Sequence, residues 1–142
     1  MFGWFIDSWN NKISIFDNEQ DAMESKLEEI LNSLRTQHGF TWVSLISSEG
    51  LSLCQSGIDE QFELSALLPS WVKSGHDIAQ AAQLEHGMGF VCLVPKQGSH
   101  ALLIQDFVHN EHQFIVLIAT AKLPQKTSIV LKGICDDLSK LL

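Results

Sequence analysis

Basic residues are scarce in this chain of 142 residues, where nine Lys and Arg stand against 17 Asp and Glu and the formal net charge is −8. Nucleic-acid binding needs clustered Lys and Arg against the phosphates, and the nine here are scattered, so we expect no nucleic-acid partner. Charged residues of both signs make up only 18% of the chain, whereas about a quarter is typical of soluble proteins. This shortage of charge indicates that some apolar surface is covered by a partner.

Membrane-spanning and secretory signals are also lacking. No run approaches the roughly 20 apolar residues that a spanning helix requires, and the start of the chain lacks the positive charge and cleavage site of a secretory signal. The three cysteines, Cys54, Cys92 and Cys135, form no Cys-x-x-Cys pair, which favours buried free thiols in a reducing compartment. We therefore expect a cytoplasmic protein.

The order of helical and β-prone segments is the most informative pattern that is present. Glu49-Gly50 divides two short β-prone runs into a hairpin, and Gly98 and Asn110 divide three later runs. The predicted elements after a leading helix are strands over Thr41–Ser47 and Leu51–Ser56, a helix over Glu60–Gln83, strands over Phe90–Pro95, His100–Val108 and Gln113–Ala121, and a helix after Pro124. The last strands are almost continuously apolar, so helices should cover both faces of the sheet.

The expected fold class is therefore α/β (α+β). A five-stranded antiparallel sheet is sandwiched between one long helix and two helices, in the order α-β-β-α-β-β-β-α. One domain of this length can bury a core of its own, and we place it at residues 21–142.

Residues 1–20 are expected to form an amphipathic helix and a linker outside this domain. One helical stripe, at steps of three and four residues, contains Phe2, Phe5, Ile6, Trp9, Ile13 and Phe16. The stripe could pack on its own domain or a dimer mate, or Phe2, Phe5, Ile6 and Trp9 could contact another partner. Membrane contact is disfavoured, because interfacial helices usually carry several basic residues and Lys12 is the only one here.

The long middle helix is apolar on more than one side. A surface helix needs one apolar stripe, yet this one carries Leu64, Leu67, Leu68, Trp71, Val72 and Ile78. One side can pack on the sheet. The other side must be covered, either by the rest of its own fold or by a partner. Small residues such as Gly75 would permit another helix to approach closely. Pro69 removes a backbone donor, so we expect a kink near Ser65–Leu68 or a helix that restarts there.

Catalytic and metal-binding interpretations find little support in the sequence. His100, His109 and His112 could imitate a metal site, but no acidic or thiol partner has suitable spacing. Cys54 and Cys92 lie in apolar runs and not in the electropositive setting of a nucleophile. The Gly87-x-Gly89 pair lacks the third glycine of a dinucleotide loop. We expect no enzyme activity, no cofactor and no metal.

The order and sizes of these elements resemble the roadblock/dynein-light-chain family over roughly residues 22–142. The residues that carry the resemblance are Leu27-Glu28-Glu29-Ile30-Leu31, His38-Gly39-Phe40, the hairpin Val43–Leu53, the acidic run Asp59-Glu60-Gln61-Phe62-Glu63, and the strand and helix of Phe114–Leu142. Pro69, Leu123-Pro124 and the aromatic N-terminal extension depart from the family pattern.

The resemblance implies a non-catalytic, dimeric interaction or scaffold module. Family members form homodimers or heterodimers with a paralogue by pairing their third strands and abutting their second helices, and act as platforms for small Ras-like GTPases. Carried over to this chain, the dimer interface comprises Leu64, Leu68, Trp71, Gly75, Ile78, Phe90, Val91, Cys92, Leu93 and Val94. The alternative is a profilin-like or PAS-like sensor, with a small molecule in an apolar pocket lined by strands three to five.

Overall fold

The computed structural model describes residues 24–57, 62–98 and 100–142, and the expected helix of residues 1–20 lies outside them. The described elements are α1 (residues 24–38), β1 (Trp42–Ser47), β2 (Ser52–Ser56), α2 (Phe62–Ala81), β3 (Val91–Leu93), β4 (Ala101–His109), β5 (His112–Thr120) and α3 (Thr127–Ser139). The predicted order and fold class are confirmed.

The five strands form one antiparallel sheet in the order β2-β1-β5-β4-β3. The first hairpin joins the rest of the sheet through β1 and β5, where Trp42 pairs with Ala119 and Ser47 with Phe114. This arrangement leaves β2 and β3 as the two edge strands. β3 is shorter than the predicted Phe90–Pro95, since Pro95 has no N–H to donate and restricts the residue before it.

Helices cover both faces of the sheet, as the continuous apolar strands predict. On one face α1 and α3 share a core with alternate strand residues: Leu27, Leu31, Leu34, Phe40, Val43, Leu45, Leu103, Val116, Ile118, Leu131, Ile134, Cys135 and Leu138. On the other face α2 packs through Leu68 and Val72 on Ile46, Ile104, Ile115 and Leu117. Successive strand residues point to opposite faces, so β1, β3, β4 and β5 contribute to both cores, whereas β2 contributes Cys54 to the first core.

The turn between β1 and β2 fixes one end of α2. Gly50 has φ +87°, and a Cβ added there would lie 3.0 Å from the Ser65 carbonyl oxygen and from the Ala66 Cα. The close approach and the left-handed backbone both require glycine.

α2 runs unbroken from Phe62 to Ala81 with Pro69 inside it, so the predicted restart does not occur. Pro69 cannot donate to the carbonyl of Ser65, and that carbonyl lies at the turn of Gly50. Burial of Leu68 and Val72 on the sheet stabilises the helix on both sides of the proline.

Candidate functional site

The apolar residues of α2 divide into two sides. Leu68, Val72 and Ala79 are each 2% exposed and face the sheet, whereas Leu67, Trp71 and Ile78 are 57%, 45% and 67% exposed. The predicted interface residue Leu68 therefore belongs to the core of its own chain. The second apolar side that the sequence indicates is the one through Trp71 and Ile78, and it faces outward.

Gly75 shows which way this outward side points. A Cβ added at Gly75 would lie 3.4 Å from Cγ2 of Val91 in β3, so this flank of α2 is next to the β3 edge. Trp71, Gly75 and Ile78 follow the i, i+4, i+7 spacing that places residues on one side of a helix. The exposed Trp71 and Ile78 consequently border the same edge of the sheet.

β3 supplies the other half of this surface. Val91, Cys92 and Leu93 are half-buried and pair with β4 on one side, and the structure shows no strand on their other side among the described residues. Val94, immediately after β3, is 71% exposed. An edge strand offers its free N–H and C=O groups to another chain. We call the surface made by Trp71, Ile78 and Val91–Val94 the α2–β3 face.

Two further predicted interface residues, Gly75 and Leu64, are covered by their own chain. Met88 packs directly over Gly75, so the space that a partner helix would use there is filled by a flexible thioether. Leu64 is half-buried and packs on the core beneath α2. Sequence reasoning missed Met88, because its contact with Gly75 depends on how the loop after α2 returns to the sheet.

The opposite flank of α2 is polar and tied to the sheet. His76 Nε2 lies 2.8 Å from Oδ2 of Asp106 in β4, and Gln113 donates a hydrogen bond of 2.8 Å to the same oxygen. Lys73 and Asp77 form an exposed ion pair on the helix. The apolar character of the exposed helix surface is therefore concentrated on the β3 side.

The thiols of Cys135 and Cys54 are held in their protonated form. Burial, followed by the charges of Asp136 and Asp106, raises the pKa of Cys135 to about 12. Burial and then the carboxylate of Glu28 raise the pKa of Cys54. A raised pKa keeps a thiol from forming the nucleophilic thiolate at neutral pH.

The three histidines weighed as a metal site are not brought together. His109 pairs with His112 across the β4–β5 hairpin, whereas His100 precedes the other end of β4, about 30 Å away at 3.3 Å per strand residue. Among residues 24–57, 62–98 and 100–142 there is no cluster of three His, Cys, Asp or Glu suited to a metal ion. None of the helices in these ranges is long and apolar enough to cross a membrane.

A cleft of about 690 Å³ lies along the polar outer side of α1, and its lining residues are Ser25, Glu28, Glu29, Asn32, Ser33, Thr36 and Gln37. All of these residues belong to α1, and none belongs to strands three to five, where the sensor alternative places its pocket. There, Leu103, Ile104, Ile115 and Leu117 are at most 1% exposed and pack on the helices.

Comparison with solved structures identifies this architecture. MglB from Myxococcus xanthus matches with a TM-score of 0.65 at 13% sequence identity, covering 82% of this chain and 87% of MglB. A structure of MglB with a tetrameric arrangement gives the same score and identity, covering 84% and 90%. A Roadblock/LC7 domain from Streptomyces avermitilis matches at 0.59 and 16%, covering 78% and 92%. The fold is roadblock-like.

Profilin II from Acanthamoeba castellanii is a weaker match, with a TM-score of 0.52 at 16% identity over 80% of this chain and 96% of profilin. No family model matches the sequence, and no curated protein matches it either. The roadblock-like fold is thus established by three-dimensional similarity alone.

Proposed function

We propose that this chain is a non-catalytic dimeric interaction module that binds or regulates a small Ras-like GTPase or a larger assembly. The observation that carries the proposal is the α2–β3 face, where Trp71 and Ile78 are 45% and 67% exposed beside an edge strand. A row of open backbone groups next to large exposed apolar side chains is a liability in a monomer. A second copy pairing through β3 would cover both features at once.

Self-association is further supported by the fold. An MglB structure with the same overall fold has a tetrameric arrangement, and the family that the sequence resembles pairs third strands and second helices. Pairing of two β3 strands would extend the five-stranded sheet to ten strands across the dimer. A stable interface of this kind buries about 800 Å² per chain.

The oligomeric state is tested by sedimentation velocity of the purified full chain over a wide concentration range, with native mass spectrometry alongside. We expect a dimer without a bound small molecule. A monomer at all micromolar concentrations would refute the dimeric module.

A ligand sensor is the second candidate, because the profilin fold is also similar. It predicts that native mass spectrometry finds a retained small molecule, which gentle denaturation releases. That result, with no dimer, would favour the sensor over the interaction module.

The GTPase part of the proposal rests on the resemblance to the roadblock family. It is tested by calorimetric titration of the chain with purified small Ras-like GTPases of its source organism, loaded with GDP or with a non-hydrolysable GTP analogue. We expect binding to one of them that depends on the bound nucleotide. Equal or absent binding in both nucleotide states would restrict the proposal to the scaffold role.

A further inference from the structure

The turn between β4 and β5 is tighter than the sequence predicts. The predicted strand ends leave a four-residue turn, His109–His112, whereas in the structure β4 extends to His109 and β5 begins at His112. The loop is therefore only Asn110 and Glu111, which have φ of 50° and 67°, as a type I′ hairpin turn requires. The two histidines become the cross-strand pair that closes the turn.

This pairing places two imidazoles side by side on one face of the sheet. Residues directly opposite each other in an antiparallel pair have Cβ atoms about 4.5–5.5 Å apart on the same face, a spacing that lets both rings reach one ion. The ladder between β4 and β5 continues from the His109–His112 pair to Ala101 and Thr120 at its other end. The sheet therefore holds the two ligands near each other before an ion arrives.

The histidine pair has an apolar neighbour on the same face. Phe107 and Phe114 form the pair two residues further into the strands, and their rings are stacked with centroids 5.5 Å apart. Both phenylalanines pack on the core beneath α1 and α3, which fixes this part of the hairpin. His109 is half-buried and His112 is exposed, so an ion can reach the pair from solvent.

One ring nitrogen already presents the lone pair that a metal ion needs. Nδ2 of Asn110 lies 3.1 Å from Nε2 of His109. An amide nitrogen can only donate a hydrogen bond, so Nε2 is the accepting nitrogen of a neutral imidazole, which is the form that ligates metals. The carboxylate of Glu111 in the turn adds negative charge beside the pair.

We propose that His109 and His112 chelate one divalent transition-metal ion of the class that prefers imidazole, such as Zn²⁺ or Ni²⁺, with water at the remaining positions. The sequence alone predicts no metal because it does not set these two histidines opposite each other. β3 pairs with Leu102–Ile104, and His109 is five residues further along β4, about 17 Å away. The proposal is therefore independent of the α2–β3 face.

The test is calorimetric titration of the untagged full chain with Ni²⁺ and with Zn²⁺, and with Mg²⁺ as a hard cation that prefers oxygen ligands. We expect one Ni²⁺ or Zn²⁺ per chain and no binding of Mg²⁺. His109→Ala and His112→Ala should each weaken binding by about tenfold or more, since loss of a supporting second-shell group already costs this much. The double variant should bind no worse than either single one, because a chelate fails when one ligand is lost.

His86→Ala is the matched control, because His86 is an exposed histidine outside the hairpin and its loss should leave the affinity unchanged. Saturating Ni²⁺ should also raise the unfolding temperature of the wild type but not that of either hairpin variant. Circular dichroism checks that each variant is folded.

Three results would overturn the proposal. Neither Ni²⁺ nor Zn²⁺ could show saturable binding to the wild type. The two hairpin variants could each lose one bound ion while the remaining affinity is unchanged, which would mean two independent imidazoles. His86→Ala could weaken binding as much as His112→Ala does, which would place the ion elsewhere.

Discussion

Replacement of Trp71 tests the α2–β3 face most directly. Trp71 is 45% exposed and is absent from the two buried clusters beneath the helices, so its removal should spare the folded protomer. A tryptophan buries roughly 150–250 Å² in a core or interface, which leaves about 70–110 Å² of Trp71 for a partner to cover. At about 25 cal/mol per Å², this area is worth about 2–3 kcal/mol per copy.

Because a symmetric dimer contains the residue twice, Trp71→Ala should cost about 4–6 kcal/mol of dimerisation free energy. At 1.4 kcal/mol for each factor of ten, the dissociation constant rises about 700-fold to 20,000-fold. Trp71→Glu should weaken the dimer further, since an unpaired carboxylate would be buried in the contact.

The assay is sedimentation equilibrium of the wild type and the variants, with circular dichroism to confirm that each protomer is folded. Ile129→Glu is the matched control, because Ile129 is 65% exposed on α3, across the sheet from α2. A folded Trp71→Glu variant that dimerises as tightly as the wild type would refute the assignment of the interface to this face.

Three other predictions concern the fold that supports this surface. Gly50→Ala should destabilise the chain by about 1–3 kcal/mol in urea unfolding, because φ is +87° and the Ser65–Ala66 backbone is 3.0 Å from the new Cβ. Gly89→Ala is the control, because a Cβ at Gly89 meets no atom within 4 Å. Equal losses of stability in the two variants would show that the close approach at Gly50 is not the cause. Asp106→Ala should cost about 1–2 kcal/mol in the same assay, since His76 and Gln113 both lose their acceptor, and an unchanged unfolding midpoint would count against this contact. The pKa of Cys135 is about 12 in the folded chain against 9.0 for a free thiol, so its contribution to stability is complete below pH 9 and is lost as the pH rises towards 12. The free energy of unfolding should therefore fall by about 1.4 kcal/mol per pH unit in that window, and Cys135→Ala should flatten the slope; an identical slope in the variant would exclude Cys135 as its origin.

The sequence allowed the elements of this fold to be predicted because their signals are local. Gly50 marks the first hairpin in the sequence, and in the structure its φ of +87° has the sign that such a turn requires. The apolar pattern of α2 predicts one side packed on the sheet and a second side that the sheet does not cover. Leu68 lies on the buried side and Trp71 on the exposed side. The unbroken helix through Pro69 was not predictable, since packing on the sheet outweighs a local rule.

The exposed residues of the α2–β3 face could be predicted only in part, and their role in a dimer interface stays a prediction. Trp71, Ile78 and Val94 are exposed at the β3 side, whereas Leu68 lies in the core and Gly75 is beneath Met88. Helical spacing assigns residues to sides of α2 but does not say which side meets the sheet. The contact of Gly75 with Val91 and the bond between His76 and Asp106 supply that orientation.

The sequence by itself determined the number, order and type of the elements, because hydrophobic periodicity and turn residues act over a few neighbouring positions. Only the tertiary structure decided that β1 pairs with β5, which makes β2 and β3 the edges. That pairing joins residues as distant as Trp42 and Ala119, whose contact depends on how all the layers pack together. The same packing decides which leucines and tryptophans of the chain remain uncovered.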